Sequence, residues 1–163
     1  MLLFLLNFML NSFASEQCDL ENLSMPYLEY KVYSCDKYFL EYAKDAVDFW
    51  KKIGLNVTFV EEVNNCKNMK SAGGIYIRFN DEIPKTLDTA ERVTYGLSSR
   101  YISYETNSVI FTTVNIVSYD FKGDMQKLIT HEVGHGLGFD HVNESCLGHI
   151  MHPILSKSGL SFY

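Results

Sequence analysis

HEVGHGLGFDH, residues His131 to His141, is the stretch on which the reading of this 163-residue chain turns. His131 and His135 are four apart. On a helix that spacing puts two imidazoles on one face, one turn apart. Glu132 sits beside the first of them. Gly138 is suited to the left-handed turn that ends a helix, and the turn swings His141 back toward the same point. Three neutral imidazoles can hold one Zn²⁺ and leave a tetrahedral position open, which is what a catalytic zinc site needs. Glu132 then stands where it can accept a proton from a water that the metal acidifies. HExxH alone is a moderately specific signal. The full spacing H-E-x-x-H-x-x-G-x-x-H ties five letters to one physical task. Gly134 and Gly136 lie inside the helix and each cost about 1 kcal/mol relative to alanine. Close approach of another backbone, space beside the metal, or drift at solvent-facing positions would each account for them.

Outward from this stretch, the helix is predicted to start at Gly123-Asp124. Its apolar stripe is Met125, Leu128, Ile129, Val133 and Leu137. A second helix is predicted from Asp36 as cap to about Ile53, with Phe39, Ala43, Ala46, Val47, Trp50 and Ile53 on one face and Gly54 as its stop. Strands are predicted at Tyr30–Tyr33, around Val57 and Phe59, and at Ile75–Phe79. Further strands are predicted at Val93–Leu97, with an extension through Tyr101-Ile102, and at Val109–Val117. Residues 61–71 read as a loop, and Asn80–Glu91 as a polar connection. The pattern is α/β (α+β): one mixed twisted sheet with two main helices packed on it.

The motif resembles the zinc-binding consensus of the metzincin metallopeptidases. Ile150-Met151-His152-Pro153 is similar to the methionine turn that follows it in that clan, with Met151 as the packed floor under the imidazoles. The Ile-Met-x-Pro form and the helix end Gly136-Leu137-Gly138-Phe139-Asp140-His141 are most similar to the matrixin branch. More weakly, Ala46–Glu62 resembles a matrixin helix-to-strand segment, and Gly74–Phe79 resembles the third strand. The resemblance implies a compact metzincin-like zincin fold divided into residues 15–138 as an upper subdomain and 139–163 as a very short C-terminal one. It implies metal ligands His131, His135 and His141, general base Glu132, and a peptide or protein substrate. Gly96, Leu97 and Ser98 would lie on the edge strand that pairs with substrate. Pro153 and Ile154 would help form a specificity-pocket wall.

The chain also departs from that pattern. No histidine precedes His131, so the upstream structural zinc of matrixins is not expected. Asp81-Glu82 could serve a structural Ca²⁺, but a solvated turn is the favoured reading because hard ions need many convergent oxygens. His149 and His152 read as surface histidines near a loop. Few residues follow Met151, which keeps open a secreted binding or inhibitory module that retains zinc without cleaving. A zinc hydrolase acting on a non-protein amide is a further alternative.

Composition sets the frame. Hydrophobic residues make up 47% of the chain and the net charge is -6, which fits one domain with a real core. It does not favour nucleic acid or an anionic membrane. Residues 1–14 read as a signal peptide, with a membrane anchor as the alternative reading of the apolar run. Export fits the four cysteines, Cys18, Cys35, Cys66 and Cys146, as two disulfides of open connectivity. A free Cys18 thiol on the zinc is the competing reading. Sequons start at Asn22, Asn56 and Asn143. The expectation is a secreted or extracytoplasmic zinc endopeptidase with no stable membrane association.

Overall fold

Asp36 starts the first helical segment as its sequence predicts: its carboxylate accepts a hydrogen bond from the Tyr38 backbone N–H at 2.9 Å. Such a cap is worth about 1 kcal/mol. A short 3₁₀ turn, Lys37–Phe39, leads into α1, Leu40–Lys52. Gly54, at φ +97°, turns the chain out of it. The computed structural model describes residues 18, 20, 27, 29–60, 66, 69–80, 87–89, 92–93, 95–106, 109–117 and 124–153. The signal-peptide reading, the Asp81-Glu82 turn, the Asn22 sequon and Ile154 lie outside these residues.

The strands are β1 Tyr30–Ser34, β2 Val57–Val60, β3 Gly74–Phe79, β4 Leu87–Thr89, β5 Arg92–Val93, β6 Gly96–Ile102 and β7 Val109–Ile116, and the second helix is α2, Met125–Gly136. Five strands form one sheet in the order β2-β1-β3-β7-β6. The first four run parallel and β6 runs antiparallel to β7. The architecture is therefore a mixed α/β fold with two helices against a mixed sheet.

Two expectations need correcting. The polar connection Asn80–Glu91 contains β4, which pairs with β5 as a separate two-stranded sheet, Leu87 opposite Val93. That pairing is made by backbone, so polar composition conceals it. The strand expected over Val93–Leu97 is divided: β5 ends at Val93 and β6 begins at Gly96.

One face of the sheet and both helices enclose the main core, including Val32, Ile75, Ile77, Val114, Ile116, Val47, Trp50, Ile129 and Val133. Trp50 is the largest buried side chain. Its indole N–H donates to the Thr130 carbonyl at 2.9 Å, and its ring stacks on Phe139 with centroids 5.2 Å apart. A buried indole needs such an acceptor. Through it α1 fixes α2 within one turn of the histidines. A smaller cluster on the opposite face joins Tyr33, Cys66, Tyr76 and Phe111.

Cysteine pairing is Cys18–Cys146 and Cys35–Cys66. Cys18 is therefore not a free thiol, and the reading of it as a zinc-capping switch is excluded. Two disulfides fit an oxidising, extracytoplasmic compartment. Among the described residues, no helix is long and apolar enough to cross a membrane.

Candidate metal centre

Helix α2 opens on Asp124, whose carboxylate accepts from the Lys127 N–H at 3.1 Å. Its last turn closes with Phe139 N–H to Gly134 O at 3.1 Å, and Gly138 takes φ +99°. A residue with a Cβ would be strained there. The reversal delivers His141 to the helix: its Nε2 lies 3.1 Å from Nε2 of His131 and 3.1 Å from Nε2 of His135. Among the described residues these three form the cluster that could hold a metal ion.

Two backbone carbonyls fix the tautomers. Nδ1 of His131 lies 2.7 Å from Ile150 O, and Nδ1 of His135 lies 2.8 Å from Phe139 O. A carbonyl only accepts, so both rings carry their proton on Nδ1 and turn the lone pair of Nε2 inward. Burial, then the neighbouring imidazoles, push His131 down to about 3. His135 and His141 are lowered as well, burial first in both cases. Neutral nitrogens converging lone pair to lone pair are an unfavourable arrangement that a cation resolves. The donor set fits a borderline-soft divalent metal, zinc among them.

Glu132 is buried on the sheet side of the same helix. Burial raises its carboxyl to about 7, against the pull of side-chain and backbone hydrogen bonds from Ser98. The Ser98 hydroxyl lies 2.6 Å from Oε2. Gly96 lies close by: a Cβ there would stand 2.8 Å from Oε1 of Glu132. Gly96 and Ser98 therefore both lie beside the glutamate, as part of β6, and the Ser98 hydroxyl bonds to it. Leu97, between them in sequence, is exposed.

Met151 is fully buried. A Cβ on Gly134 would run into Met151 Sδ and the Trp50 ring, and one on Gly136 would sit 2.9 Å from Ile75 Cδ1. Close packing, not drift, accounts for both glycines. The Met151 carbonyl accepts from Val142 N–H at 3.0 Å, which ties Met151 to the residue after His141. Cys146 lies between them and carries the Cys18 disulfide. His149 accepts from the Met151 N–H through Nδ1 at 3.0 Å. His152 is buried, not a surface residue, and its Nε2 meets the Glu144 carbonyl at 3.0 Å. The main-chain reversal around Met151 draws it inward. Pro153 is half-buried at the end of this turn.

Sequence reasoning missed two contacts: Ser98 on Glu132, and Arg100 Nη2 on Asp140 Oδ1 at 2.7 Å. A signal existed. Residues 96, 98 and 100 alternate along one strand and so share a face. What the sequence did not show is that this face meets α2. Comparison with protein-family models and with curated proteins yields no match.

Proposed function

We propose that this chain is a secreted zinc endopeptidase of metzincin type, closest in its motifs to the matrixins. The observation that carries the proposal is one juxtaposition. Three inward-facing Nε2 atoms, a carboxylate on the same helix and an edge strand lie together. Zinc held by His131, His135 and His141 would supply Lewis-acid activation of water and of the scissile carbonyl.

The chain's own residues account for the remaining roles. β6 is the last strand of the sheet, so an extended peptide can add beside it through main-chain hydrogen bonds. The Val117 N–H to Tyr95 O bond sets the antiparallel alternation. By that alternation, the N–H and C=O of Ser98 and Arg100 face away from β7. Glu132 takes a proton from the attacking water and returns it to the leaving amine as the C–N bond breaks. Ser98 holds that carboxylate in place. Met151 and Trp50 pack under the helix and keep the histidines in register. In the clan's terms, Gly138 would mark the division between upper and lower subdomains. Disulfides and the apolar N-terminal run support export.

The test is cleavage of an unstructured protein by the zinc-loaded chain, its loss on chelation and its return with zinc. Glu132→Gln should retain zinc and lower kcat by a factor of about 10² to 10⁴. Cleavage by that variant at the parental rate would overturn the role of Glu132. Bound zinc without turnover on a broad peptide panel would overturn the peptidase reading.

A further inference from the structure

Buried carboxylates are usually neutralised by a cationic neighbour, because an isolated ion in a low-dielectric setting is costly. Glu132 has no ion pair among the described residues. Its hydrogen bonding comes from Ser98, whose Oγ lies 2.6 Å from Oε2 and 2.9 Å from the Glu132 carbonyl oxygen. The hydroxyl has one proton and two acceptors within reach. The shorter contact, to the carboxylate, is the charge-assisted one. Two positions along the strand, Gly96 leaves a gap that the same carboxylate occupies: a Cβ would lie 2.8 Å from Oε1 and 3.0 Å from Cγ. One strand thus provides both the space for Glu132 and the bond that fixes its tip.

We propose that Ser98 is the positioning residue of Glu132, its hydroxyl holding the carboxylate against β6 so that one orientation is presented to the metal centre. A glutamate has three side-chain torsions, and a short bond at its end removes most of that freedom. β6 is also the exposed edge of the sheet, so a peptide added there presses on the strand that aims the base. Substrate docking, through the Ser98 main chain, and base orientation, through its hydroxyl, then meet at one residue. The kinetic part of this proposal rests on the peptidase reading; the structural part does not.

The experiment compares zinc-loaded Ser98→Ala with the parent. Expected are retained zinc, a kcat about ten- to a hundredfold lower, in line with a hydrogen bond to a charged group, and a nearly unchanged KM, as for an interaction made in the transition state only. The crystal structure of the variant should show the Glu132 carboxylate displaced from β6 with the helix backbone in place. Gly96→Ala is the second probe. It pushes the same carboxylate away while Ser98 stays intact, and should lower kcat in the same way. A raised KM at parental kcat would make Ser98 a substrate-binding residue and overturn the proposal. So would a Glu132 carboxylate that keeps its place in Ser98→Ala at parental kcat. If the parent cleaves nothing, the peptidase reading fails, and the carboxylate position in the variant decides the Ser98 assignment alone.

Discussion

The two edges of the main sheet are built differently. β2, at one end, has four residues, and β6, at the other, has seven. β2 is flanked by charged groups: Glu29 accepts from the Thr58 hydroxyl at 3.0 Å, and the Lys44 ammonium stands over the Phe59 ring at 5.9 Å. Beyond its end the disulfide ties Cys66 to Cys35, the residue after β1. β6 leaves Leu97, Tyr101 and Ile102 at 42%, 47% and 45% exposure. Short edges flanked by charge resist unwanted pairing, whereas a long apolar edge invites it. An inviting edge beside the candidate metal centre is therefore informative. The liability lies where strand addition by a peptide would be useful, and the other edge is the shorter one.

The contrast is broken most severely from the covalent side. Replacing Cys35 and Cys66 together with alanine removes a crosslink spanning 31 residues. Chain entropy puts its contribution at about 4 kcal/mol. Denaturant unfolding should show a loss of that order, while kcat per folded molecule stays at the parental value. Loss of cleavage in a fully folded double variant would show that the two edges are not independent.

Much of this was legible in the sequence where chemistry is local. Asp36, Gly54, Asp124 and Gly138 act within a turn of their own position, so the helix ends came out close to expectation. The three histidines were legible because their spacing is a property of one helix and one turn. The cysteine pairs were not, because the four residues allow three pairings and the fold alone chooses. Nor was the reason for Gly134: it depends on Trp50 and Met151 arriving from distant segments. Ser98 was assigned to the substrate edge, but its bond to Glu132 appears only once β6 is laid on α2. His152 was misread for the same reason, since burial of a loop histidine is decided by the loop's path.

A change of pH sharpens the comparison next, because it acts through the β6 side. In the metal-free protein His131 sits at about 3, and His135, His141 and His149 are also lowered, burial being the first cause in each. Below the ordinary value of 6.5 the unfolded chain binds protons that the folded chain refuses, so these groups reduce stability as pH falls. Glu132 opposes them. Its carboxyl is raised from 4.5 to about 7, so its contribution is full below 4.5 and is lost as pH rises through 7. Four imidazoles outweigh one carboxyl. The Tm of metal-free protein should therefore drop between about pH 7 and about pH 5. A Tm that rises over that interval would mean that Glu132 dominates the site.

The smallest effect is expected from the other tie between β6 and the metal centre. Arg100 and Asp140 join the edge strand to the residue before His141, at 2.7 Å, with Asp140 about half exposed. An ion pair in that setting is worth roughly 0.2–1 kcal/mol. Among the described residues, Arg100 Nη1 is buried without a hydrogen-bond partner, so deleting the guanidinium also removes an unsatisfied group. Two further effects of Arg100→Ala oppose each other: the His141 loop loses an anchor, while a positive charge that lowers His135 and His141 is withdrawn from the metal site. The zinc Kd should consequently shift by less than about fivefold, the equivalent of 1 kcal/mol. Competition against a chromophoric chelator at low and high salt measures it, and the residual shift should shrink as salt screens the pair. A hundredfold weakening would show that β6 is part of the frame that holds the metal. The two edges would then differ in what they carry as well as in how open they are.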